Sequence, residues 1–263
     1  MRKFLNQFLP SRSAPNVVPQ SDMPAFAPDR PLYVIGDVHG RADLIEPLLQ
    51  SIDADVSAHG HTAPLLVFLG DYVDRGEHSD EVLVHLQELS TAMPDEVVCL
   101  MGNHEQMMLD FLDDPAGRGA RWLVNGGLQT LASFRIGGLG LNSPVEDMAD
   151  AGDALLAAMP AGMLDWLRAL PRWRQSGNVV CVHAAMNPAR APIDQDERAM
   201  LWGHRDFTTT RREDGLWVVH GHTIVKEPEM HNGRIAIDTG AYHSNRLTAA
   251  AITSEGCSFL QTS

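Results

Sequence analysis

The chain's pattern predicts an α/β fold, one domain built on two sheets, and three observations carry that prediction. Short apolar runs alternate with segments of helical spacing through the first half. The last third turns to strands without a Pro- or Gly-rich linker before it. Five of the apolar runs lead straight into a short polar cassette. Strand–helix alternation implies a parallel sheet with crossover helices. A strand-rich continuation of the same domain adds the second sheet.

The elements follow in order. Pro10, Pro15, Pro19, Pro24, Pro28 and Pro31 punctuate the start, so residues 1–30 read as a flexible tail and residues 31–263 as the folded domain. Arg2–Leu9 has the spacing of an amphipathic helix that could touch a partner. Asn6 and Gln7 break its apolar stretch, and no small-residue cleavage site follows, which argues against a signal peptide. Leu32–Ile35, Leu65–Leu69, Val97–Met101, Val179–Val182 and Leu216–Val219 read as buried strands, each ahead of a cassette. Leu44, Ile45, Leu48, Leu49 and Ile52 fall at helical spacing, as do Val82, Leu83, Leu86 and Leu89, then Met107, Met108, Phe111 and Leu112. Asp80 and Glu81 suit the first turn of the second helix. Asp113–Pro171 is mostly helical and irregular, and Arg234–Ile237, Leu247–Ile252 and Cys257–Leu260 complete the strands.

Composition bounds the class. At 263 residues and 44% hydrophobic, the chain can bury one large core. No apolar run approaches the ~20 residues that span a bilayer. The formal net charge of −14 disfavours nucleic acid as a partner. Cys99, Cys181 and Cys257 lie in apolar runs, as small core residues do, and a reducing cytoplasm is the expected compartment.

The cassettes carry the chemistry. They are Gly36-Asp37-Val38-His39-Gly40, Gly70-Asp71-Tyr72-Val73-Asp74-Arg75-Gly76, Gly102-Asn103-His104-Glu105, Val182-His183-Ala184 and His220-Gly221-His222-Thr223. In open α/β sheets ligands bind beyond the carboxyl ends of strands, so five such strands converge on one cleft. Asp37 and His39 sit two apart and share a side of an extended segment, fit for one ion. Asp71, after the central of the first three strands, is the candidate to bridge two ions, leaving Asn103, His183 and His222 for the other. Oxygen and imidazole donors without thiolate suit manganese, iron or zinc, with manganese foremost. Two divalent ions set against two carboxylates and a hydroxide leave net positive charge, and Arg75 adds to it, so an acidic protein still attracts a phosphate dianion. His104, next to the ligand Asn103, is left free as general acid, with Asp74 to orient it.

These blocks resemble those of the phosphoprotein phosphatase family of calcineurin-like metallophosphoesterases, and are most similar to its bacterial and phage branch. The likeness spans roughly Tyr33–Ile252. It implies a four-layer αββα sandwich with two mixed sheets flanked by helices, two divalent metal ions, and attack by a bridging hydroxide. By position it implies Asp37, His39, Asp71, Asn103, His183 and His222 as metal ligands, His104 and Asp74 as the acid pair, and Arg75 as a phosphate clamp. The family often places a second clamping arginine after a Trp; in Leu201-Trp202-Gly203-His204-Arg205-Asp206 that position falls to Arg205. The fourth block departs from the family pattern, reading His183-Ala184-Ala185.

Function then reads as a cytoplasmic serine/threonine protein phosphatase acting on phosphorylated proteins or peptides. The alternative is a hydrolase of dinucleoside polyphosphates such as diadenosine tetraphosphate, against which the intact Asp74-Arg75 step is counted; an inactive binding module comes third. Other residues keep two readings. His222 is preferred to His220 as the ligand. Asp238 braces a ligand or makes a turn. His243 is structural or behind the ligands. Trp122 and Trp166 are core anchors or substrate platforms. His59, His61, His78, His85 and His231 are expected at the surface.

Overall fold

The computed structural model describes residues 23–262. In chain order its elements are β1 (Leu32–Ile35), α1 (Ala42–His59), β2 (Leu65–Phe68), α2 (Ser79–Ala92), β3 (Val97–Cys99), α3 (Asn103–Asp113), α4 (Pro115–Trp122), α5 (Leu128–Ser133), α6 (Val145–Ala158), α7 (Met163–Ala169), β4 (Trp173–Ser176), β5 (Val179–Val182), α8 (Glu197–Trp202), β6 (Trp217–His220), β7 (Glu229–His231), β8 (Arg234–Ala236), α9 (Ala241–Ser244), β9 (Thr248–Thr253) and β10 (Gly256–Gln261). They form two mixed five-stranded sheets, in the orders β10-β9-β1-β2-β3 and β4-β5-β6-β8-β7. β1, β2 and β3 are parallel, as are β5, β6 and β8. The remaining strands pair antiparallel at the flanks.

Side-chain alternation explains why the strands read as unbroken apolar runs. On β1, Leu32 and Val34 face the second sheet, in a core with Val67, Leu69, Cys181, Val219, Ile235 and Ile252. Tyr33 and Ile35 face the helices, among Leu48, Ile52, Leu83, Met108 and Phe111. Both faces are covered, so no polar alternation is needed. The outer face of the second sheet, Val180, Val182 and Val218, is covered by Met200 of α8 and by Phe207. Helices thus flank two packed sheets, and each fully buried Leu or Ile contributes roughly 1.5–3 kcal/mol.

Two strands have no counterpart in the sequence reading, β4 (Trp-Arg-Gln-Ser) and β7 (Glu-Met-His). Both are edge strands, polar and partly exposed, and edges need no apolar run. The leader also differs over its last residues. Residues 23–30, read as part of the tail, are strapped to the second sheet. Phe26 packs on Trp217 with ring centres 4.3 Å apart, and the Trp217 indole N–H donates to Pro24 O at 3.0 Å. Ala27 N–H donates to Asn178 Oδ1 at 2.7 Å and Asp29 N–H to Ser176 Oγ at 3.0 Å. The Arg2–Leu9 reading lies outside the described residues. Cys99, Cys181 and Cys257 are free thiols. Among the described residues no helix is long and apolar enough to cross a membrane.

Candidate metal centre

The turns after β1 and β2 run side by side. Val38 N–H and His39 N–H both donate to Asp71 O, at 3.1 and 2.8 Å, and Gly40 N–H donates to Tyr72 O at 2.8 Å. From the start of α3, Glu105 reaches back under both the β2 and β3 turns. Its carboxylate accepts from the backbone N–H of Asp71 (2.8 Å), Tyr72 (2.7 Å), Val73 (3.2 Å) and Gly102 (3.0 Å), and it is fully buried. Burial and the nearby Asp71 charge raise its pKa to about 7, against the Val73 and Tyr72 backbone donors. A Cβ on Gly102 would stand 2.2 Å from Asp71 N, so only glycine lets these turns meet. Of the nine non-glycine residues with positive φ among the described residues, five are in or beside these cassette turns: His39, Asp71, Asp74, Arg75 and His222. Such strain persists where surrounding bonds over-determine the backbone, and it clusters at functional sites.

The second sheet brings its own pair. Gly221 N–H donates to His183 O at 2.8 Å, and His222 N–H to Asp37 Oδ2 at 3.1 Å. A Cβ on Gly221 would lie 2.0 Å from Asp37 Oδ1, so the last cassette closes directly over the first.

At the meeting point Asp71 turns its two oxygens to different histidines. Oδ2 lies 3.5 Å from His39 Nε2 and 3.8 Å from His104 Nε2, whereas Oδ1 lies 3.3 Å from His183 Nε2. His183 Nε2 is 2.8 Å from Asn103 Oδ1. Two groups, His39–Asp71–His104 and Asp71–His183–His222, each gather their donor atoms within 4.8 Å of one another. His39 Nδ1 donates to Val73 O at 2.8 Å and His183 Nδ1 to Leu69 O at 3.1 Å. That fixes the tautomer and leaves each Nε2 lone pair facing the cluster. Burial pushes His39 down to about 3 and His183 to about 4, so both are neutral donors at physiological pH.

The donor set fits divalent cations. Asp37 and Asp238 are buried beside each other and beside Asp71; burial first, then their mutual repulsion, holds Asp37 well above the carboxylate range. Burial and the Asp71 charge raise Asp238 to about 6. Burial opposes the charge of Asp71 too, but at low pH, where His183, His104 and His39 are protonated, their charges outweigh it and hold that carboxyl well below its usual range. Excess buried negative charge among neutral imidazoles is what bound cations offset.

His104 is held differently. Its Nδ1 stands 2.6 Å from Asp74 Oδ2. The same carboxylate accepts from the Trp122 indole N–H at 3.0 Å and from Thr130 Oγ1 at 2.6 Å. Burial works to lower the His104 pKa, but the charges of Asp71 and Asp74 and the Asp74 hydrogen bond outweigh it and hold it above its ordinary value. Arg75 Nη2 lies 3.3 Å from His104 Nε2, and its guanidinium sits over Tyr242, 4.9 Å from the ring centre.

The expected residues fall into two sets. Asp37, His39, Asp71, Asp74, Arg75, Asn103, His104, His183 and His222 come together at one end of the two sheets. Arg205 does not join them: its side chain is 90% exposed and faces Asp206. His220 packs on Phe207, 4.9 Å between ring centres, and belongs to neither donor group, whereas His222 belongs to the second. Asp238 accepts from Gly240 N–H at 2.8 Å, a turn contact, and also touches Asp37. His243 is exposed and stacks on Tyr242. Trp122 and Trp166 are anchors: the first is fully buried against Phe111, and the second donates to Ser90 Oγ at 3.0 Å. His59 and His61 stack beside Asp55 at the end of α1. Sequence reasoning gave no role to Glu105, although a Glu three residues after Gly102 is the position that reaches back to a helix start. It also missed Thr130 and Tyr242, which carry no motif.

Known proteins resemble the chain over most of its length. A profile of the calcineurin-like phosphoesterases matches residues 30–234. The bis(5'-nucleosyl)-tetraphosphatase PrpE [asymmetrical] of Bacillus thuringiensis is 30% identical over 237 residues, 82% of this chain and 88% of that protein. A solved structure provisionally named a diadenosine tetraphosphatase superposes with a TM-score of 0.60 at 18% identity, covering 89% of this chain and 95% of the other. A protein serine/threonine phosphatase from Saccharomyces cerevisiae superposes with a TM-score of 0.52 at 16% identity, over 89% of this chain and 80% of that one.

Proposed function

The chain belongs to the calcineurin-like phosphoesterase family, and within that metal-dependent chemistry we propose that it hydrolyses dinucleoside tetraphosphates into two unequal nucleotides. The chemistry rests on one observation, that the oxygens of Asp71 face two separate histidine sets, as a carboxylate shared by two ions requires. The substrate class is supported by relatives that match over most of both chains and bear the tetraphosphatase name. The intact Asp74-Arg75 step, counted above against this substrate, is outweighed by that likeness.

In this reading Asp37 and His39 would hold one ion, Asn103, His183 and His222 the other, and Asp71 would be shared by both. Manganese is the proposed metal, since oxygen and imidazole donors suit it. Divalent ions bound there would supply Lewis-acid chemistry, offsetting phosphoryl charge and activating water. The residues around them do the rest. Arg75, steadied over Tyr242, orients a phosphate oxygen in both ground and transition states. His104 gives a proton to the departing oxygen, and Asp74 keeps the donor's other nitrogen engaged.

One observation favours a second reading. The His104–Asp74 pair, braced by Trp122 and Thr130, is what a poor alkoxide leaving group demands, and a phosphoserine or phosphothreonine peptide would supply one. Purified protein loaded with manganese should convert diadenosine tetraphosphate to AMP and ATP, seen by ion-exchange chromatography, and lose that activity with a chelator. Its kcat/KM for the dinucleotide should exceed that for phosphoserine and phosphothreonine peptides by at least about tenfold, the spacing of 1.4 kcal/mol in transition-state binding. The reverse order would replace this reading with the protein phosphatase.

A further inference from the structure

Elements that carry residues of the cluster also wall a polar hollow. Gln106, Arg121, Glu197, Arg198, Leu201 and Trp202 line a cavity of about 400 Å³. Each wall is tied to the site. Gln106 lies one helical turn after Asn103 on α3. Arg121 precedes Trp122, the donor to Asp74, and five residues on a Cβ on Gly126 would stand 2.7 Å from the Arg75 backbone nitrogen. α8 is fixed to the residue after His183 by the Ala184 N–H, which donates to Met200 O at 2.8 Å.

The contents of the hollow are unusual for a protein of net charge −14. Arg121 lays its guanidinium over the Trp202 indole, with Cζ 4.0 Å from the ring centre. Glu197 is already engaged by Arg172, whose Nη2 also donates to Gln106 Oε1 at 3.2 Å. The Arg121 and Arg198 guanidiniums therefore leave the hollow locally cationic. A flat cation braced on an indole is a surface on which bases stack, and Arg planes serve bases as aromatic rings do. The volume falls within the range of small-ligand sites.

We propose that this hollow receives one nucleoside of the substrate. Its base stacks on the Trp202–Arg121 pair, and the polyphosphate runs past Arg121 and Arg198 to the cluster. The assignment rests on the tetraphosphatase reading and deepens it. A phosphoserine or phosphothreonine residue has no flat ring of its own for Trp202 and Arg121, and a singly phosphorylated peptide lacks the extra phosphates that two arginines suit.

The test reads the base separately from the reaction. AMP and inorganic phosphate, then ATP and tripolyphosphate, are compared as inhibitors of p-nitrophenyl phosphate turnover by the manganese-loaded enzyme. In each pair the nucleotide should inhibit at roughly tenfold lower concentration, the scale of one base–aromatic stack. Trp202→Leu should abolish that preference, and Trp202→Phe should keep most of it. Arg121→Ala should reduce the preference and weaken tripolyphosphate as well. Wild-type enzyme without a nucleotide preference would overturn the pocket. So would a preference that survives Trp202→Leu, or equal losses for AMP and inorganic phosphate in both Trp202 variants. The two readings can fail separately. If the dinucleotide is not cleaved but the AMP preference vanishes with Trp202, the tetraphosphatase reading falls and the base pocket stands. If the dinucleotide is cleaved and the preference ignores Trp202, the pocket falls alone.

Discussion

The floor of the site and its rim are built by different means. At the floor, Asp37, His39, Asp71, Asn103 and His183 are all at most 3% exposed, and His39 and His183 turn Nδ1 to backbone carbonyls. At the rim, Arg75, Tyr242, Arg121 and Trp202 are half-buried or exposed and rest on one another's rings. Backbone partners at the floor leave no rotamer freedom, so donor positions are set by the fold itself. Ring-on-cation contacts at the rim are weaker and can rearrange around a ligand. On the proposed reading the difference separates two tasks: the strand ends would supply the bond chemistry, and the helices beside them would choose what is presented to it. His104 stands between the two, buried like the floor but held by a carboxylate instead of a carbonyl.

The strongest way to break this division is at the floor. Asp71→Asn removes one negative charge shared by both halves of the cluster while keeping the side-chain shape. Turnover should fall at least ~100-fold, the scale of losing a strong electrostatic contact. The fall should be equal for nitrophenyl phosphate, dinucleotide and phosphopeptide, because the floor does not know the leaving group. Steady-state kinetics on the three esters, with metal content by atomic absorption, checks it. Turnover near wild type with two ions bound would remove Asp71 as the shared ligand.

His104→Asn sharpens the division, since it lies on the boundary. Its effect should depend on the leaving group. Hydrolysis of a phosphoserine peptide should slow by about 100-fold or more, the range of general acid catalysis. Nitrophenyl phosphate and the dinucleotide, whose leaving groups depart with less help, should slow by less than about tenfold. Asp74→Asn should follow the same order more mildly, because Asp74 meets His104 and not the substrate. A uniform loss across the esters, or a lost metal, would move His104 from proton donor to floor.

The same contrast explains what could be read from the chain. The five cassettes are contiguous, and each strand hands its polar residues over within a few positions, so local pattern placed nearly the whole floor. β1 and β5 were legible residue for residue, because burial on both faces makes them uninterrupted apolar runs. The rim and its supports are assembled from far apart. Asp74 meets Trp122 and Thr130 across 48 and 56 residues, and no spacing rule connects them. Arg121 and Trp202 come from α4 and α8, joined only by the fold. β4 and β7 were invisible because edge strands tolerate Arg, Gln, Glu and His.

Arg205 is the smallest expected effect and the most pointed check on that lesson. By sequence it follows Trp202 where a clamp could stand. In the structure α8 stops at Trp202, and Gly203 takes φ 99°, a conformation that sends the chain off in a new direction. Two residues later the Arg205 guanidinium is 90% exposed and beside Asp206, so the ion pair is screened by water and worth little. Arg205→Ala should therefore change kcat and KM by less than about twofold on every ester, as surface substitutions away from a site usually do. Arg75→Ala under the same assay should raise KM and lower kcat together, because that guanidinium is held over Tyr242 and beside His104. If instead Arg205→Ala raises KM about tenfold, the His204–Gly215 loop must fold inward when substrate binds, and the rim would include a residue that only the occupied site brings into place.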